Sequence, residues 1–223
     1  MIKLVLIIVV VSYLLGSIPF GYLLVRVFRG QDVRKTGSGN IGATNVARTG
    51  SKALAIATLL LDALKGYAAV TFAFWLAIAK RFEGQLSTSV YDQTTLGLDS
   101  RTVFLLAALA AFVAILGHMF TVWLRFKGGK GVATAAGSFI ALAPRALLLA
   151  LLLFVVVVAL TRYVSLGSII AVATFPFLVW WLSPPESMTA LLLLLIGASS
   201  LLIIVRHRDN IRRLLAGTEN RFR

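Results

Sequence analysis

The chain alternates between long apolar runs and short polar intervals. Seven segments are dominated by apolar residues, at 4–28, 53–79, 102–124, 132–144, 146–160, 164–182 and 189–205. A helix needs about 20 apolar residues to cross the hydrocarbon core of a bilayer, and the fourth and fifth segments are short by that standard. Those two could instead form one long span over 132–160. The pattern therefore predicts an all-α membrane protein with either seven or six crossings.

The basic residues between these segments distinguish the two counts. Cytoplasmic loops of membrane proteins carry an excess of lysine and arginine. Seven crossings place the basic stretches on one side of the membrane, at 29–52, 125–130, Arg162 and the tail from Arg206. The other side then receives Lys3, the charge-balanced loop 80–101, Arg145 and the stretch 183–187. Six crossings would put the strongly basic tail outside, against this bias.

We therefore expect a bundle of seven transmembrane helices, with the N-terminus outside and the C-terminus in the cytoplasm. The fourth and fifth spans are short, at about 132–144 and 146–160, and Pro144 lies at a tight outer turn between them. The first segment continues into Arg26 and Arg29 without a small-residue cleavage site, which argues against a cleaved signal peptide. The tail places apolar residues on one helical face and arginines elsewhere, which predicts an interfacial helix.

Composition supports this assignment and narrows the chemistry. Of 223 residues, 59% are hydrophobic and 13% charged, fractions typical of membrane proteins rather than of soluble all-α proteins. The net charge is +14, and the basic residues lie between the apolar segments. This distribution favours binding to anionic lipid headgroups over binding to nucleic acid. The absence of cysteine excludes a thiolate nucleophile and disulfides. We expect a single integral-membrane domain over 1–223.

The first basic interval, "RKTGSGNIGATNVARTG" at 34–50, has the composition of an anion-binding loop. Its glycines at 37, 39 and 42 match G-x-G-x-x-G, but a membrane helix precedes them, whereas a dinucleotide fingerprint requires a strand. Glycines still let backbone N–H groups approach an anion closely. Side chains supply further donors and charge: Ser38, Asn40, Thr44, Asn45, Arg34, Lys35 and Arg48. The alternative is a flexible basic loop near lipid phosphates.

The second basic interval lies in "GHMFTVWLRFKGGKGVATAAG" at 117–137. It resembles a nucleotide-binding P-loop but lacks the required Ser or Thr, because Gly131 follows Lys130. Lys127 and Lys130 flank Gly128 and Gly129 just before the fourth apolar segment. That arrangement predicts a nest of backbone donors, a helix N-terminus and two ammonium groups for one phosphate. Two ordinary juxtamembrane lysines would account for the charges but not for the three glycines.

Other polar residues fall within or beside the apolar segments. Asp62 and Lys65 lie one helical turn apart, which predicts a buried ion pair that supports the site. His118 could pack between helices as a hydrogen-bonding group or take part in the site. Small hydroxyl residues often pack membrane helices, and this interpretation applies to Ser165 and Ser168. The tail carries three polar residues that an interfacial helix does not need, namely His207, Asn210 and Glu219.

Several catalytic patterns are absent. The fifth residue after each histidine is Trp123 or Arg212, so no H-x-x-x-x-D motif exists. No carboxylate cluster suggests a two-metal site, and no G-x-S-x-G elbow occurs. Two cationic glycine-rich loops without an evident nucleophile favour direct transfer between two phosphorylated substrates, by positioning and charge stabilisation.

Together these motifs resemble the bacterial membrane acyl-phosphate:glycerol-3-phosphate acyltransferases. The resemblance covers essentially the whole chain, in order. The motifs that carry it are "GSIPFG" at 16–21, "GSGNIGATN" at 37–45 with Arg48, Asp62 with the "KG" at 65–66, "GH" at 117–118, "FKGGKGVAT" at 126–134, "RYVS" at 162–165 and "RHRDNI…GTE" at 206–219. The loop 80–101 carries none of these motifs, and its role stays open.

The resemblance implies acyl transfer from acyl phosphate to glycerol-3-phosphate, which gives lysophosphatidic acid and inorganic phosphate. This is the first acylation of bacterial phospholipid synthesis, on the cytoplasmic face of the inner membrane, with no cofactor, metal, acyl-CoA or acyl carrier protein. The implied catalytic residues are Ser38, Arg48, Lys130, His207 and Asn210. The expected phosphate- and substrate-binding residues are Gly37, Gly39, Asn40, Thr44, Asn45, Lys127, Gly128, Gly129, Gly131, Ser165 and Glu219.

Acyl phosphate is already an activated anhydride, so no covalent acyl-enzyme is required. Either the leaving phosphate or His207 could accept the proton of the attacking hydroxyl. Two other classes stay open at this point. A transporter or flippase for phosphorylated lipids or organophosphates would use the short fourth and fifth helices as broken helices, although the two halves show no repeat. A non-catalytic membrane subunit would bind lipid or a partner.

Overall fold

The computed structural model describes residues 1–86, 98–184 and 187–221, and the longer regular elements within these ranges are α-helices. The helices are α1 (Ile2–Ser17), α2 (Phe20–Arg29), α3 (Ala43–Ala47), α4 (Lys52–Leu86), α5 (Ser100–Met119), α6 (Val132–Leu142), α7 (Pro144–Thr161), α8 (Val164–Leu182), α9 (Ala190–Arg206) and α10 (Arg208–Leu215). All seven predicted apolar segments are helical. The predicted loop 80–101, whose role stays open, begins later than expected, because α4 continues to Leu86 and α5 begins at Ser100. Residues 87–97 of this loop lie outside the described ranges.

Five helical stretches in the described part of the chain are long and apolar enough to cross a membrane. They are Ile2–Arg29, Lys52–Phe82, Ser100–Leu124, Pro144–Thr161 and Val164–Leu182. The pair α9 and α10 gives a sixth if it counts as one span, with a bend of 56° between the helices. The remaining apolar helix, α6, has 11 residues and is therefore about 16 Å long, well short of a 30 Å hydrocarbon core.

The first span is broken at Ile18 and Pro19. Proline has no N–H to continue the helical ladder, and Ile18 adopts φ −59° and ψ 116°, outside the helical region. The break frees the Ile18 carbonyl, which accepts a hydrogen bond of 2.7 Å from Lys65 Nζ on α4. Pro19 thus interrupts the helix and leaves the Ile18 carbonyl as an acceptor for a buried lysine.

The fourth and fifth apolar segments form two helices rather than one. Ala143 has φ −146° and ψ 68°, so the helix stops there and α7 begins at Pro144. Phe139 and Leu147, at similar distances on either side of this turn, line the same cavity. The two helices therefore fold back on each other, which excludes the single helix over 132–160. The predicted boundaries are confirmed to within two residues.

Glycines allow the central helices to approach closely. A Cβ added to Gly16 of α1 would lie 2.1 Å from the Ala114 carbonyl oxygen of α5, and one added to Gly137 of α6 would lie 1.7 Å from the Ala63 oxygen of α4. Without side chains at these positions, the backbones pack directly, as small residues allow in membrane bundles. The helix α5 lies at the centre, with 12 of its residues buried. The outer helices expose large apolar side chains such as Trp75 and Leu194, which suits a lipid environment.

Candidate active site

The first glycine-rich loop, 34–50, is organised around Asn45. This side chain is 2% exposed, and its Oδ1 accepts a hydrogen bond of 2.9 Å from the Ser38 amide. Its Nδ2 donates to three carbonyls, those of Val33, Thr36 and Asn40, at 3.0, 3.0 and 2.7 Å. All its polar atoms are thus used inside the loop. Asn45 therefore positions the loop. No polar atom of its side chain is left for a substrate phosphate, so the prediction that Asn45 binds phosphate is wrong.

The glycines of this loop meet a steric and a conformational requirement. Gly37 and Gly39 have φ of +54° and +69°, in the left-handed region that favours glycine. A Cβ at Gly37 would also lie 2.5 Å from Asn45 Oδ1. Asn40 Oδ1 accepts a hydrogen bond of 2.8 Å from the Gly42 amide and so closes a turn. Three predicted site residues, Ser38, Thr44 and Arg48, keep exposed side chains on this scaffold.

The positive charge of Arg34 is neutralised within the loop. Its guanidinium pairs with Asp32 at 2.7 Å and lies 4.9 Å from the centre of the Tyr22 ring. The hydrogen bond from Arg34 lowers the pKa of Asp32 to about 2, so the carboxylate stays ionised at neutral pH. Arg34 therefore stabilises the loop, and Arg48 becomes the stronger candidate for binding an anion.

The backbone amides of Gly128 and Gly129 in the second loop donate hydrogen bonds within the protein. The Gly128 amide donates to the Met119 carbonyl and the Gly129 amide to the His118 carbonyl, each at 3.0 Å. Arg206 donates from the other side to the carbonyls of Gly128 and Gly129, at 3.0 and 3.1 Å. The predicted nest of free backbone donors is therefore wrong at these two glycines.

Close packing explains why residues 128 and 129 are glycines. A Cβ at Gly128 would lie 2.0 Å from the His118 carbonyl oxygen, and one at Gly129 would lie 2.0 Å from His118 Nε2. Gly131 caps α6 with φ +89°. The first turn of α6 follows it, where amides lack partners within the helix. The predicted phosphate site at the N-terminus of α6, after Lys130, stays a prediction.

A buried charged group lies beneath the second loop. Lys65 Nζ is 2.7 Å from Asp62 Oδ1, which confirms the predicted ion pair. His118 Nδ1 lies 3.6 Å from the same carboxylate oxygen. All three side chains are at most 4% exposed. Since His118 also contacts Gly129, this group supports the loop that carries Lys130, and His118 acts as a packing residue between helices.

A hydrogen-bonded cluster joins side chains from three distant parts of the chain. Lys130 Nζ donates to Asn210 Oδ1, and Asn210 Nδ2 donates to Glu219 Oε1 at 2.7 Å. Ser165 Oγ donates to the same oxygen at 2.8 Å, and Arg213 Nε donates to Glu219 Oε2 at 2.7 Å. The structure thus brings together four of the predicted site residues, Lys130, Ser165, Asn210 and Glu219. Glu219 accepts hydrogen bonds from Asn210, Ser165 and Arg213. We call these five residues the polar cluster.

Burial and charge set the protonation states of the polar cluster. Partial burial opposes ionisation of Glu219, but hydrogen bonds from Asn210, Ser165 and Arg213 outweigh it and lower the pKa of Glu219. Burial lowers the pKa of Lys130 to about 8. The negative charge of Glu219 raises this pKa, and the positive charges of Arg213 and Arg48 lower it further. At neutral pH Lys130 is therefore mostly charged.

His207 is buried next to this cluster. Its Nδ1 lies 2.8 Å from the Ile203 carbonyl oxygen, which can only accept, so Nδ1 carries the proton. Nε2 is then left as an acceptor in the neutral ring. Burial and, secondly, the charge of Lys130 lower the pKa of His207 to about 4. His207 is therefore neutral at physiological pH.

Two arginines that contact the site were missed, because the arginines of the tail were interpreted as the polar face of an interfacial helix. Arg206 holds the second loop, and Arg213 pairs with Glu219 at 2.7 Å. The spacing of Asn210 and Arg213, one helical turn apart, was an available signal that both lie on one face. Lys127 is exposed, and its amide donates to the Leu124 carbonyl at 3.1 Å in the turn that precedes the glycines.

Apolar contacts hold the two loops side by side. Val33, Ile41 and Val46 from the first loop pack in one buried cluster with Leu124 of the second. The fold and site thus define a multi-pass helical membrane protein in which two cationic loops and a polar cluster converge where helices end.

Comparisons with known proteins agree with this class. Residues 6–217 match the sequence model of the family described as glycerol-3-phosphate acyltransferase, so the chain belongs to that family and is an acyltransferase. A glycerol-3-phosphate acyltransferase of Agrobacterium fabrum is 45% identical over 95% of this chain and 89% of its own length. One from Geobacter sulfurreducens is 44% identical over 98% of this chain and 97% of its own.

Two solved structures are similar to the structure of this chain. The crystal structure of PlsY (YgiH), an integral membrane glycerol 3-phosphate acyltransferase, in its glycerol 3-phosphate form matches with a TM-score of 0.79 and 36% identity, over 98% of this chain and 96% of that one. Its lysophosphatidic acid form matches with a TM-score of 0.77 and 34% identity, over 98% and 95%. Membership of an enzyme family sets aside the transporter and the non-catalytic subunit.

Proposed function

We propose that this protein transfers a fatty acyl group from acyl phosphate to glycerol-3-phosphate, which yields lysophosphatidic acid and inorganic phosphate. The observation that carries the proposal is that the lining of an apolar cavity begins within one helical turn of two residues of the polar cluster, Lys130 and Ser165. A reaction between a polar phosphate ester and an acyl donor needs both environments next to each other. The similar structures in glycerol 3-phosphate and lysophosphatidic acid forms support the same acceptor and product.

The apolar cavity suits the acyl chain. It lies between α6, α7, α8 and α9, and its lining is apolar apart from Ser168 and Ser200. Val132 lines it two residues after Lys130, and Ser168 lines it one helical turn after Ser165. An acyl chain in this cavity would keep its apolar surface away from water. The carbonyl at its head would then lie beside Lys130 and the first turn of α6.

This placement assigns the two phosphates to different groups. The phosphate of the acyl donor must lie next to this end of the cavity, where Lys130 and the α6 N-terminus favour an anion. Glycerol-3-phosphate would then bind at the first loop. The exposed guanidinium of Arg48 can bind its phosphate in a bidentate manner, and Ser38 can donate a hydrogen bond to the same phosphate. Thr44 and Lys127 lie exposed on the two loops and complete the proposed binding residues.

The reaction is proposed to proceed by direct attack. The primary hydroxyl of glycerol-3-phosphate attacks the acyl carbonyl carbon, the carbon–oxygen bond to phosphate breaks, and phosphate leaves. With a pKa of about 4, His207 is a weak base at neutral pH. A phosphate group, whose second pKa is near 6, is the better proton acceptor. We therefore propose that the leaving phosphate accepts the proton. His207 Nε2 would accept a hydrogen bond from the attacking hydroxyl and so orient it.

Charge stabilisation would supply the main catalytic effect. Negative charge develops on the carbonyl oxygen and on the departing phosphate. A preorganised donor at such a position is worth on the order of 3 kcal/mol. Lys130 is held by Asn210, which is in turn held by Glu219, so its ammonium group is fixed before substrate binds.

The membrane arrangement is part of the proposal. We propose seven crossings within one domain over 1–223, with α6 and α7 as two short spans and the polar cluster facing the cytoplasm of a bacterial inner membrane. The basic intervals support this orientation, since all of them then share the cytoplasmic side. Closely packed neighbours such as α4 shelter α6 from lipid, so its short length is tolerated.

An assay with purified protein in detergent tests the function. Inorganic phosphate should be released from an acyl phosphate when glycerol-3-phosphate is present, and not in its absence, with no added metal and no effect of a chelator. Acyl-CoA should not replace acyl phosphate, because compact phosphate suits the cationic loops. Equal rates with acyl-CoA would contradict the proposed donor, and phosphate release without glycerol-3-phosphate would indicate hydrolysis instead of transfer.

A further inference from the structure

The apolar cavity has a defined floor. Its lining on α6 runs from Val132 to Phe139 and on α8 from Ser168 to Phe175, so the two phenylalanines lie farthest from the polar cluster. Their rings stack with centroids 4.3 Å apart. Seven residues of helix separate each phenylalanine from the first lining residue of its helix, which gives a depth of about 10 Å.

Both rings are held firmly in the bundle. Phe139 is 4% exposed and Phe175 3% exposed, and both belong to the main apolar core together with Leu142 and Leu147 near the α6–α7 turn. A side chain packed at core density does not move aside without disturbing its neighbours. The floor is therefore a fixed end of the cavity.

One wall of the cavity opens toward lipid. Leu151 on α7 lines the cavity and is also exposed on the outer surface of the bundle. An acyl chain longer than the cavity depth has to turn toward this side. A chain that stops short of the floor leaves apolar volume unfilled, which forfeits dispersion contacts.

We infer that the stacked pair Phe139 and Phe175 determines the acyl-chain length that this enzyme prefers. The inference rests on the proposed function, since it assigns the cavity to the acyl chain. A single methylene in an apolar pocket changes discrimination by roughly tenfold or more. The position of the floor, rather than the polar cluster, would then select among acyl phosphates with identical reacting groups.

The test measures kcat/KM for octanoyl, decanoyl, lauroyl and palmitoyl phosphate with saturating glycerol-3-phosphate. The series starts at eight carbons because carbon–carbon bonds of ~1.5 Å limit a zigzag chain of that length to roughly 10 Å, the depth of the cavity. Phe139→Ala and Phe175→Ala deepen the cavity, and each should raise the ratio of palmitoyl to octanoyl roughly tenfold. Ala171→Phe places a ring one turn above the floor and should shift the preference the opposite way. This variant leaves both phenylalanines in place, so it decides the question if the smaller side chains prevent folding.

Phe177→Ala is the matched control. Phe177 lies on the same helix two residues beyond Phe175, but its side chain is 60% exposed toward the lipid, so the ratio should stay unchanged. An unchanged ratio in active Phe175→Ala and Ala171→Phe proteins would overturn this inference alone. A wild-type protein that transfers no acyl group from any of the four donors would overturn the proposed function, and this inference with it.

Discussion

Lys130 combines two properties that a catalytic cation needs. Its ammonium group is held by Asn210 Oδ1, so the group is oriented before substrate arrives. Burial strengthens its interaction with an anion, because fewer water molecules compete. The same burial lowers the pKa of Lys130 to about 8, which leaves the charge largely present at neutral pH. Arg48 differs in being exposed, which suits capture of a soluble substrate.

Removal of either cation should impair turnover far more than folding. We expect Lys130→Ala and Arg48→Ala each to lower kcat/KM for phosphate release by roughly a hundredfold, as for the loss of one preorganised donor. Lys3→Ala, at the exposed start of α1, is the control and should change little. Melting temperatures of the purified variants check the fold. Near-normal activity of both folded variants would mean that the loops are only lipid-contacting surface.

The wild-type pH profile provides a separate test of Lys130. Deprotonation removes the positive charge, so activity should decline as the pH rises through about 8, the pKa of Lys130. Lys130→Arg keeps its charge throughout this range. If that variant is active, its decline should move to higher pH even when its maximal rate is reduced. A decline at the same pH in both proteins would assign it to another group.

At the scale of helices, α4, α5 and the α1–α2 break meet at one buried charged group. Lys65 from α4 binds both Asp62 and the Ile18 carbonyl that the break releases. His118 from α5 lies between this pair and Gly129. The group thus connects the helix core to the loop before α6. Its polar atoms depend on one another, because all three side chains are almost completely buried.

Breaking this ion pair from one side should cost more than removing both charges. Asp62→Ala or Lys65→Ala leaves one uncompensated charge in the bundle, which destabilises by about 3–5 kcal/mol in comparable buried pairs. The double variant Asp62→Leu with Lys65→Met replaces both with apolar side chains and should melt at a higher temperature than either single variant. Thermal unfolding in detergent measures the coupling. Simply additive losses would show that the two residues act independently.

At the scale of the whole molecule, the number of crossings depends on α6. Its 11 residues do not reach across a bilayer by length alone, yet α6 and α7 fold back on each other at Pro144. If α6 completes a crossing with the help of its neighbours, the α6–α7 turn lies on the outer side. If it does not, that turn remains on the side of the polar cluster or within the membrane.

Cysteine labelling distinguishes these arrangements, and the chain has no cysteine of its own. Arg145→Cys, at the exposed α6–α7 turn, should react with a membrane-impermeant thiol reagent in intact cells. Arg125→Cys and Asn220→Cys should react only after permeabilisation. Gly129 is unsuitable for labelling because His118 packs against it. Labelling of position 220 from outside, or protection of position 145, would contradict the seven-span arrangement.

The sequence by itself determined the helical segments, the break at Pro144 and the two cationic loops. These features are local, because apolar runs and Pro144 act on the backbone nearest to them. The break at Pro19, inside the predicted segment 4–28, was not predicted. The motifs also pointed to Lys130, Asn210, Ser165 and Glu219 as one site. No local pattern, however, contains the hydrogen bonds that join them, since Lys130 and Asn210 are 80 residues apart.

Only the tertiary structure decided how each polar group is used. Asn45, Gly128 and Gly129 have the composition of phosphate ligands, but their donors are taken by carbonyls of the protein. Arg206 was interpreted as part of an interfacial helix, whereas its side chain holds the second loop. The apolar cavity between α6, α7, α8 and α9 could not be anticipated either. A donor is available to substrate only when no nearer acceptor satisfies it, and that depends on contacts that form when distant segments pack.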